Sequence, residues 1–269
     1  MRIHVFSVCW NEAKMAGFFL RHYGAFAERI VVYDEDSTDG SPSLLRSAPN
    51  VTLKRFVRTQ PDSFDLSKKA LYDACWKESR GTADWVMIVD MDEHVHHPRL
   101  VAQLAEYKRA GVTFVPALGF QMFTDEFPGK GERLSETRTR GAPDRWYSKP
   151  IVFDPDAVDE LNLAIGGHSA QPTGRIVLPA EDELMLLHYK FLSLEYVAAR
   201  NGILQGRRGL KDVENKWGKH YANTPEQIGR EFQKKEAALV DIAAPGFRPG
   251  ATHDVPRWRR PDSAAAGRF

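Results

Sequence analysis

The chain has 269 residues, 42% hydrophobic and 27% charged, an ordinary soluble globular balance with length enough to bury a core without staples. Lys plus Arg number 37 against 36 Asp plus Glu, a formal net charge of +1, so no general field draws the chain to nucleic acid. An anionic ligand must be met by a local cluster instead. Cys9 and Cys75, the two cysteines, sit in an apolar run and a helical pattern and read as small buried hydrophobes. The start, Met1-Arg2-Ile3-His4-Val5, enters a strand-like run without a charged segment ahead of it, so no signal peptide is expected. No stretch approaches the about 20 apolar residues that span a bilayer, and a cytoplasmic location is expected.

In chain order, Ile3 to Cys9 is an apolar run rich in β-formers, and Glu12 to Phe26 places Met15, Phe18, Phe19, His22 and Phe26 near helical spacing. Arg29 to Tyr33 is a second strand, closing in the polar turn Asp34 to Gly40, where Asp39 or Ser41 can cap a following helix. Val51 to Phe56 is a third strand, Asp65 to Glu78 a helix, Asp84 to Asp90 a fourth strand. A helix after Pro98 and a strand at Val112 to Leu118 follow. Residues 119–180 mix Gly, Pro, Arg and aromatic residues and read as loops with one strand at Pro150 to Phe153. Leu184 to Phe191 is apolar and runs into a helix from Ser193 to about Asn201, and Pro225 to Val240 is the last helix. The expected architecture is α/β, a mostly parallel, Rossmann-like sheet flanked by helices, with further helices towards the C-terminus. Residues 1–118 form one half, 119–244 an acceptor-side half with the C-terminal helices, and 245–269 a loosely held tail. That tail carries five arginines and two aspartates; a peripheral contact with the inner face of the membrane is an alternative to a merely solvated segment.

In such sheets ligands bind beyond the carboxyl ends of the strands, and three polar clusters arrive there: Asn11-Glu12, Asp34 to Asp39, and Asp90 to Glu93. The last cluster ends the apolar strand Asp84-Trp85-Val86-Met87-Ile88-Val89. Residues two apart in extended chain share a side, so Asp90 and Asp92 can face one hard cation, Mg2+ or Mn2+, that also takes phosphate oxygens. Arg200, Arg207, Arg208 and Lys211 form a basic stretch suited to phosphate.

Asn11-Glu12, then Arg29 to Gly40, then Asp84 to Glu93, and later His188-Tyr189-Lys190 before a helix, together resemble the family-2-like glycosyltransferases of the GT-A fold, the last element being similar to a bacterial branch. The likeness covers the first hundred residues and resumes near residue 184. It implies a nucleotide-sugar donor, UDP-linked by preference, and a glycan or lipopolysaccharide-type acceptor. By the resemblance, Asn11 and Glu12 line the nucleotide pocket, Asp34 with Glu35 bonds the base or ribose, and Lys69 or Lys68 approaches the base or diphosphate. Asp90, Asp92 and His188 hold the metal. His168, in a Gly-Gly-His-Ser turn, and Trp146 are candidates for acceptor or sugar contacts. An inverting transfer needs a base; Asp182, shortly before His188, and Asp144 are put forward, ahead of Asp159 and Glu181. His94 and His96 can share a strand face, read as satisfied histidines sooner than as ligands.

Three other activities fit parts of the pattern. A sugar-phosphate nucleotidyltransferase needs a glycine-rich loop after the first strand, where this chain has Trp10-Asn11-Glu12 and no glycine until Gly17. A glycoside hydrolase needs two carboxylates roughly 5–10 Å apart across the bond, and Asp90 and Asp92 stand in a metal-like setting instead. A non-catalytic nucleotide-sugar-binding protein is the third.

Overall fold

Every residue of Ile3–Cys9 is buried, as expected of a strand covered on both faces, and the sheet is laid out around it. The computed structural model describes residues 1–260, 267 and 269. Its elements are β1 (Ile3–Cys9), α1 (Ala13–Tyr23), β2 (Arg29–Asp34), α2 (Ser41–Arg46), β3 (Val51–Arg55), α3 (Phe64–Ala74), β4 (Trp85–Ile88), β5 (Glu93–His96), α4 (Leu100–Arg109) and β6 (Phe114–Thr124). There follow α5 (Leu134–Thr137), β7 (Arg140–Pro143), β8 (Lys149–Phe153), β9 (Val158–Glu160), β10 (Thr173–Gly174), β11 (Met185–Leu192), α6 (Leu194–Arg207), α7 (Leu210–Glu214), α8 (Pro225–Glu236) and β12 (Val240–Asp241).

The main sheet runs β3-β2-β1-β4-β8-β6-β7-β12. Its first four strands are parallel neighbours, joined by helices, which is the α/β arrangement the sequence predicts. β8 enters antiparallel between β4 and β6. β6 is long and buried throughout, and it branches. Its first part pairs with β8; its second part pairs with β7 on one side and with β11, in parallel, on the other. The division expected at residue 118 therefore falls inside one strand, and a single apolar core spans both halves.

Local chemistry sets the joints. Asp39 accepts from the Ser41 amide at 2.9 Å and also from the Ala13 amide at 2.9 Å, serving the first turns of α2 and α1 together. β11 passes into α6 through Ser193, which takes φ +79 and caps the helix by accepting from the Tyr196 amide at 3.2 Å. A fully buried carboxylate, Asp212, clasps the α6–α7 region to the start of α3. It accepts from the Phe64 amide at 2.9 Å, from the Gly209 amide at 2.9 Å and from the Ser63 hydroxyl. Gly209 lies so close to Asp62 that a Cβ there would stand 2.1 Å from its carbonyl oxygen.

Residues 245–260, expected to be loosely held, are exposed over much of their length but anchored at a few side chains. Trp258 is buried and donates its indole N–H to Asp182 at 2.9 Å, Arg259 pairs with the same carboxylate at 2.8 Å, and His253 Nε2 lies 2.9 Å from the Gly119 carbonyl. An indole and a guanidinium converging on one carboxylate outweigh the flexible composition. Residues 261–266 and 268 of that stretch lie outside the described residues. No helix among the described residues is long and apolar enough to cross a membrane.

His94 and His96 do lie on one strand, β5, but in an apolar setting. His22 stacks on His94 at 4.4 Å, Tyr189 and Tyr23 pack edge-on, and both His94 nitrogens are buried without a partner. Burial pushes His22 and His96 down to about 4 and His94 further below its usual range. A base depressed in the fold binds fewer protons there than in the unfolded chain. Its contribution is complete above the unfolded value of 6.5 and is lost as pH falls from there towards 4. Melting curves across this window are expected to show a steep fall in wild type. His94→Phe should flatten that fall and add about 1 kcal/mol at pH 7 by removing the unpartnered nitrogens; an unchanged pH profile would show that this cluster does not set acid stability. Separately, Asp212→Ala is expected to cost about 3 kcal/mol in urea denaturation, since it strands three donors at once.

Candidate active site

β1, β4 and β11 deliver polar residues to one cavity of about 310 Å³, walled also by α3, α6 and α7. Glu12, Asp90, Asp92, His168 and His188 all line it, so residues from distant parts of the chain meet as the sequence predicts.

Asp92 and His188 face each other with Oδ2 3.3 Å from Nε2. The pairing of β11 with β6 puts His188 in register with Gln121, and His188 Nδ1 lies 2.9 Å from Gln121 Oε1. With that oxygen accepting, Nδ1 carries a proton and Nε2 is turned to the Asp92 carboxylate. At that distance a proton on Nε2 or a bound cation stands between the nitrogen and the carboxylate. Tyr147 stacks on the imidazole at 4.6 Å, so the ring is fixed on its edge and on its face. Burial works to raise the Asp92 carboxyl, but His188 outweighs it and holds it below the usual range.

Asp90 is differently placed. Lys68 Nζ stands 2.6 Å from Oδ1 and 2.7 Å from Oδ2, the Tyr72 hydroxyl donates to Oδ1 at 3.0 Å, and Lys149 Nζ is 3.8 Å from Oδ2. Lys149 is buried and pairs with Glu93 Oε1 at 2.5 Å. Burial alone would raise Asp90, yet Lys68 and Lys149 hold it well below the ordinary carboxylate range. Asp90 and Asp92 thus do not converge with His188 on one point. Among the described residues, no three or more His, Cys, Asp or Glu stand together so as to hold an ion.

On the β1 side, Glu12 pairs with Arg200 of α6. Burial pushes its carboxyl up to about 7, against the pull of Arg200. Glu35 is gripped by Arg58 at 2.5 Å and by Arg207 at 2.6 Å. The basic stretch of α6 therefore meets the acids at the ends of β1 and β2. Among the described residues, Arg200, Arg207 and Arg208 each keep one buried nitrogen without a partner, and all line the cavity. Asp65, on the first turn of α3, also lines it and has no ion-pair or hydrogen-bond partner among the described residues; burial raises its carboxyl.

Several expected site residues lie elsewhere. Asn11, at φ +53, accepts from the Thr38 amide, and Asp34 accepts from the Ser37 amide; both brace the loop after β2 and neither lines the cavity. Lys69 turns to Asp73 at 2.7 Å, a helical i,i+4 pair, while Lys68, one residue back, faces the cavity. Asp182 is taken by Trp258 and Arg259, and Asp144 by Lys235 and the Trp146 amide; neither candidate base reaches the cavity. Trp146 is 62% exposed and lines a neighbouring cleft of about 150 Å³ instead. His168 borders both spaces, carried on a turn where Gly166 and Gly167 take φ +78 and +69. Gln121, Lys149, Tyr147 and Asp65 are the site residues that sequence reasoning did not single out for these roles.

No family model matches the chain. Over 207 residues it is 23% identical to a glycosyltransferase family 92 protein of Oryza sativa subsp. japonica, a match that takes in 71% of this chain and 34% of that one. The chain thus spans about a third of that relative's length. Among solved structures, TarS residues 1–349 of S. aureus shares 13% identity at a TM-score of 0.40, over 87% of this chain and 71% of that one. Mannosyl-3-phosphoglycerate synthase from Rubrobacter xylanophilus shares 15% at 0.36, over 58% and 55%. Likenesses this loose do not decide fold or activity.

Proposed function

We propose that the chain is a glycosyltransferase of GT-A type, moving a sugar from a nucleotide-diphosphate donor, a UDP-sugar by preference, to a glycan or lipid-linked acceptor with the help of Mn2+ or Mg2+. The observation that carries the reading is the facing pair Asp92 Oδ2 and His188 Nε2, set in a cavity at the carboxyl ends of β1 and β4. A carboxylate and an imidazole whose far nitrogen is engaged are a fitting part-set of ligands for such an ion, with the remaining positions left to donor oxygens and water. The match to a family 92 glycosyltransferase supports the same reading.

The roles follow from charge and position. When bound, the cation would neutralise the leaving diphosphate as a Lewis acid. Asp92 and His188 would hold it, and Gln121 and Tyr147 keep His188 in place. Arg200 and Arg207, tied to Glu12 and Glu35, bring guanidinium donors to the nucleotide end, and their unpartnered nitrogens suit phosphate oxygens. Asp65 offers a carboxylate to a ligand hydroxyl. His168, on its glycine turn, and Lys190 also line the cavity and are available to an acceptor.

Melting of the full chain against a panel of nucleoside diphosphates and nucleotide-sugars, with and without Mn2+, tests the proposal. One nucleotide is expected to stabilise only when Mn2+ is present, by about 2.7 kcal/mol at a hundredfold excess over its Kd, and Asp92→Ala should abolish the effect. A well-folded chain that no nucleotide shifts at saturating metal would sink the transferase reading. Gln121→Leu should weaken Mn2+ about 10–100-fold in a direct titration, whereas Gln121→Glu, which still accepts from Nδ1–H, should retain it. Equal affinity in the Leu variant would remove Gln121 from the metal's support.

A further inference from the structure

Both oxygens of Asp90 already have partners on the cavity wall. Both its oxygens are held by Lys68, Oδ1 also by Tyr72, and Lys149 stands beyond Oδ2. Asp92 carries no lysine at all; its Oδ2 faces an imidazole nitrogen.

The two ammoniums at Asp90 differ in freedom. Lys149 is buried and bonded to Glu93, whose Oε2 accepts from the Asp90 amide at 3.1 Å, so it is part of the frame. Lys68 has no second carboxylate in contact among the described residues. It sits beside the rings of Phe64 and Tyr72, at 5.9 and 5.4 Å, on the wall of the cavity, at the end of a flexible four-carbon stem. It is the cation that can leave.

We infer that Lys68 is a latch on Asp90 that the donor's diphosphate releases, so that the metal and the diphosphate admit one another. The inference rests on the donor-and-cation reading above. A divalent ion arriving alone at Asp90 meets an ammonium already there, and displacing it strands a charge inside the protein. A diphosphate gives the ammonium a new anion of at least equal attraction. Asp90, still beside Tyr72 and Lys149, then has lone pairs to offer the cation that Asp92 and His188 would hold. Such coupling is reciprocal: whatever the diphosphate does for the metal, the metal does for the diphosphate. The open form with Lys68 on Asp90 and the loaded form with Lys68 on phosphate are two states of one side chain, and each ligand biases the same switch.

The test reads Mn2+ binding by the electron paramagnetic resonance of the free ion, in the full chain, with Mn2+ alone and with UDP as the probe. Lys68→Met is expected to bind Mn2+ alone about tenfold tighter than wild type, and UDP should then tighten it less than it does in wild type. Lys68→Arg, whose fork grips a carboxylate with two bonds, should bind Mn2+ alone no tighter than wild type, and Lys69→Met should match wild type. Adding Asp90→Asn to Lys68→Met should erase the gain. If UDP still drives Mn2+ into wild type and Lys68→Met alike while the two bind Mn2+ alone equally, the latch is overturned and the donor site stands. If Mn2+ enters neither protein even with UDP, both readings fall. Should Lys68→Met not fold, the arginine variant decides: Mn2+ alone binding more tightly to it than to wild type would overturn the latch.

Discussion

A lysine ammonium buried between two carboxylates is the constraint on which the polar edge of the sheet depends. Lys149 comes from β8, the strand that enters antiparallel beside β4, and it lies against Glu93 and Asp90 at the end of β4. Burying such a charge is costly unless it is paired well, and here Glu93 pairs with it directly while Asp90 stands one step further off. Remove the ammonium, and buried Glu93 is left without its ion-pair partner beside Asp90 and Asp92, with Lys68 alone to answer the turn. The antiparallel insertion of β8 is thus what makes an acid-rich strand end compatible with a folded protein.

From that turn the charge balance spreads outward in pairs. Lys68 answers Asp90, Arg200 answers Glu12, and Arg207 with Arg58 answers Glu35. The acids come from strand ends and the bases mostly from helices packed over them, so the same contacts that close the fold also line the cavity. Asp212 fixes the crossing of α7 over the start of α3, which decides where the arginines of α6 stand. Stability and ligand chemistry share these residues, and substitutions here will rarely affect one without the other.

The parallel strands were legible in the sequence because each is a continuous apolar run closed by polar residues, and so was the meeting of Glu12, Asp90, Asp92 and His188 at one edge. Other parts were hidden for identifiable reasons. Gln121 matters only because β6 and β11 pair in a register that sets it beside His188, a relation between residues far apart in the chain. Lys149 is hidden in the same way. The choice between Lys68 and Lys69 was open to helical phase: Lys68 shares a face with Tyr72, and Lys69 with Asp73. Asp182 was put forward for its proximity in sequence to His188, which says nothing of partners such as Arg259, and Asp144 is likewise taken up by Lys235. The stretch 245–260 was read as loose from composition, which does not register one buried tryptophan meeting one carboxylate.

Ser193 gives the join between β11 and α6 a mechanical character. A non-glycine residue at φ +79 that also caps its helix leaves no slack between the strand bearing His188 and the helix bearing Arg200 and Arg207. The helix is therefore a fixed arm set off from the strand end five residues past His188. At 1.5 Å per residue its 14 residues reach about 21 Å. Pinned at the strand end by Ser193 and at the far end by Arg207 on Glu35, it holds the guanidinium groups at a set reach from His188.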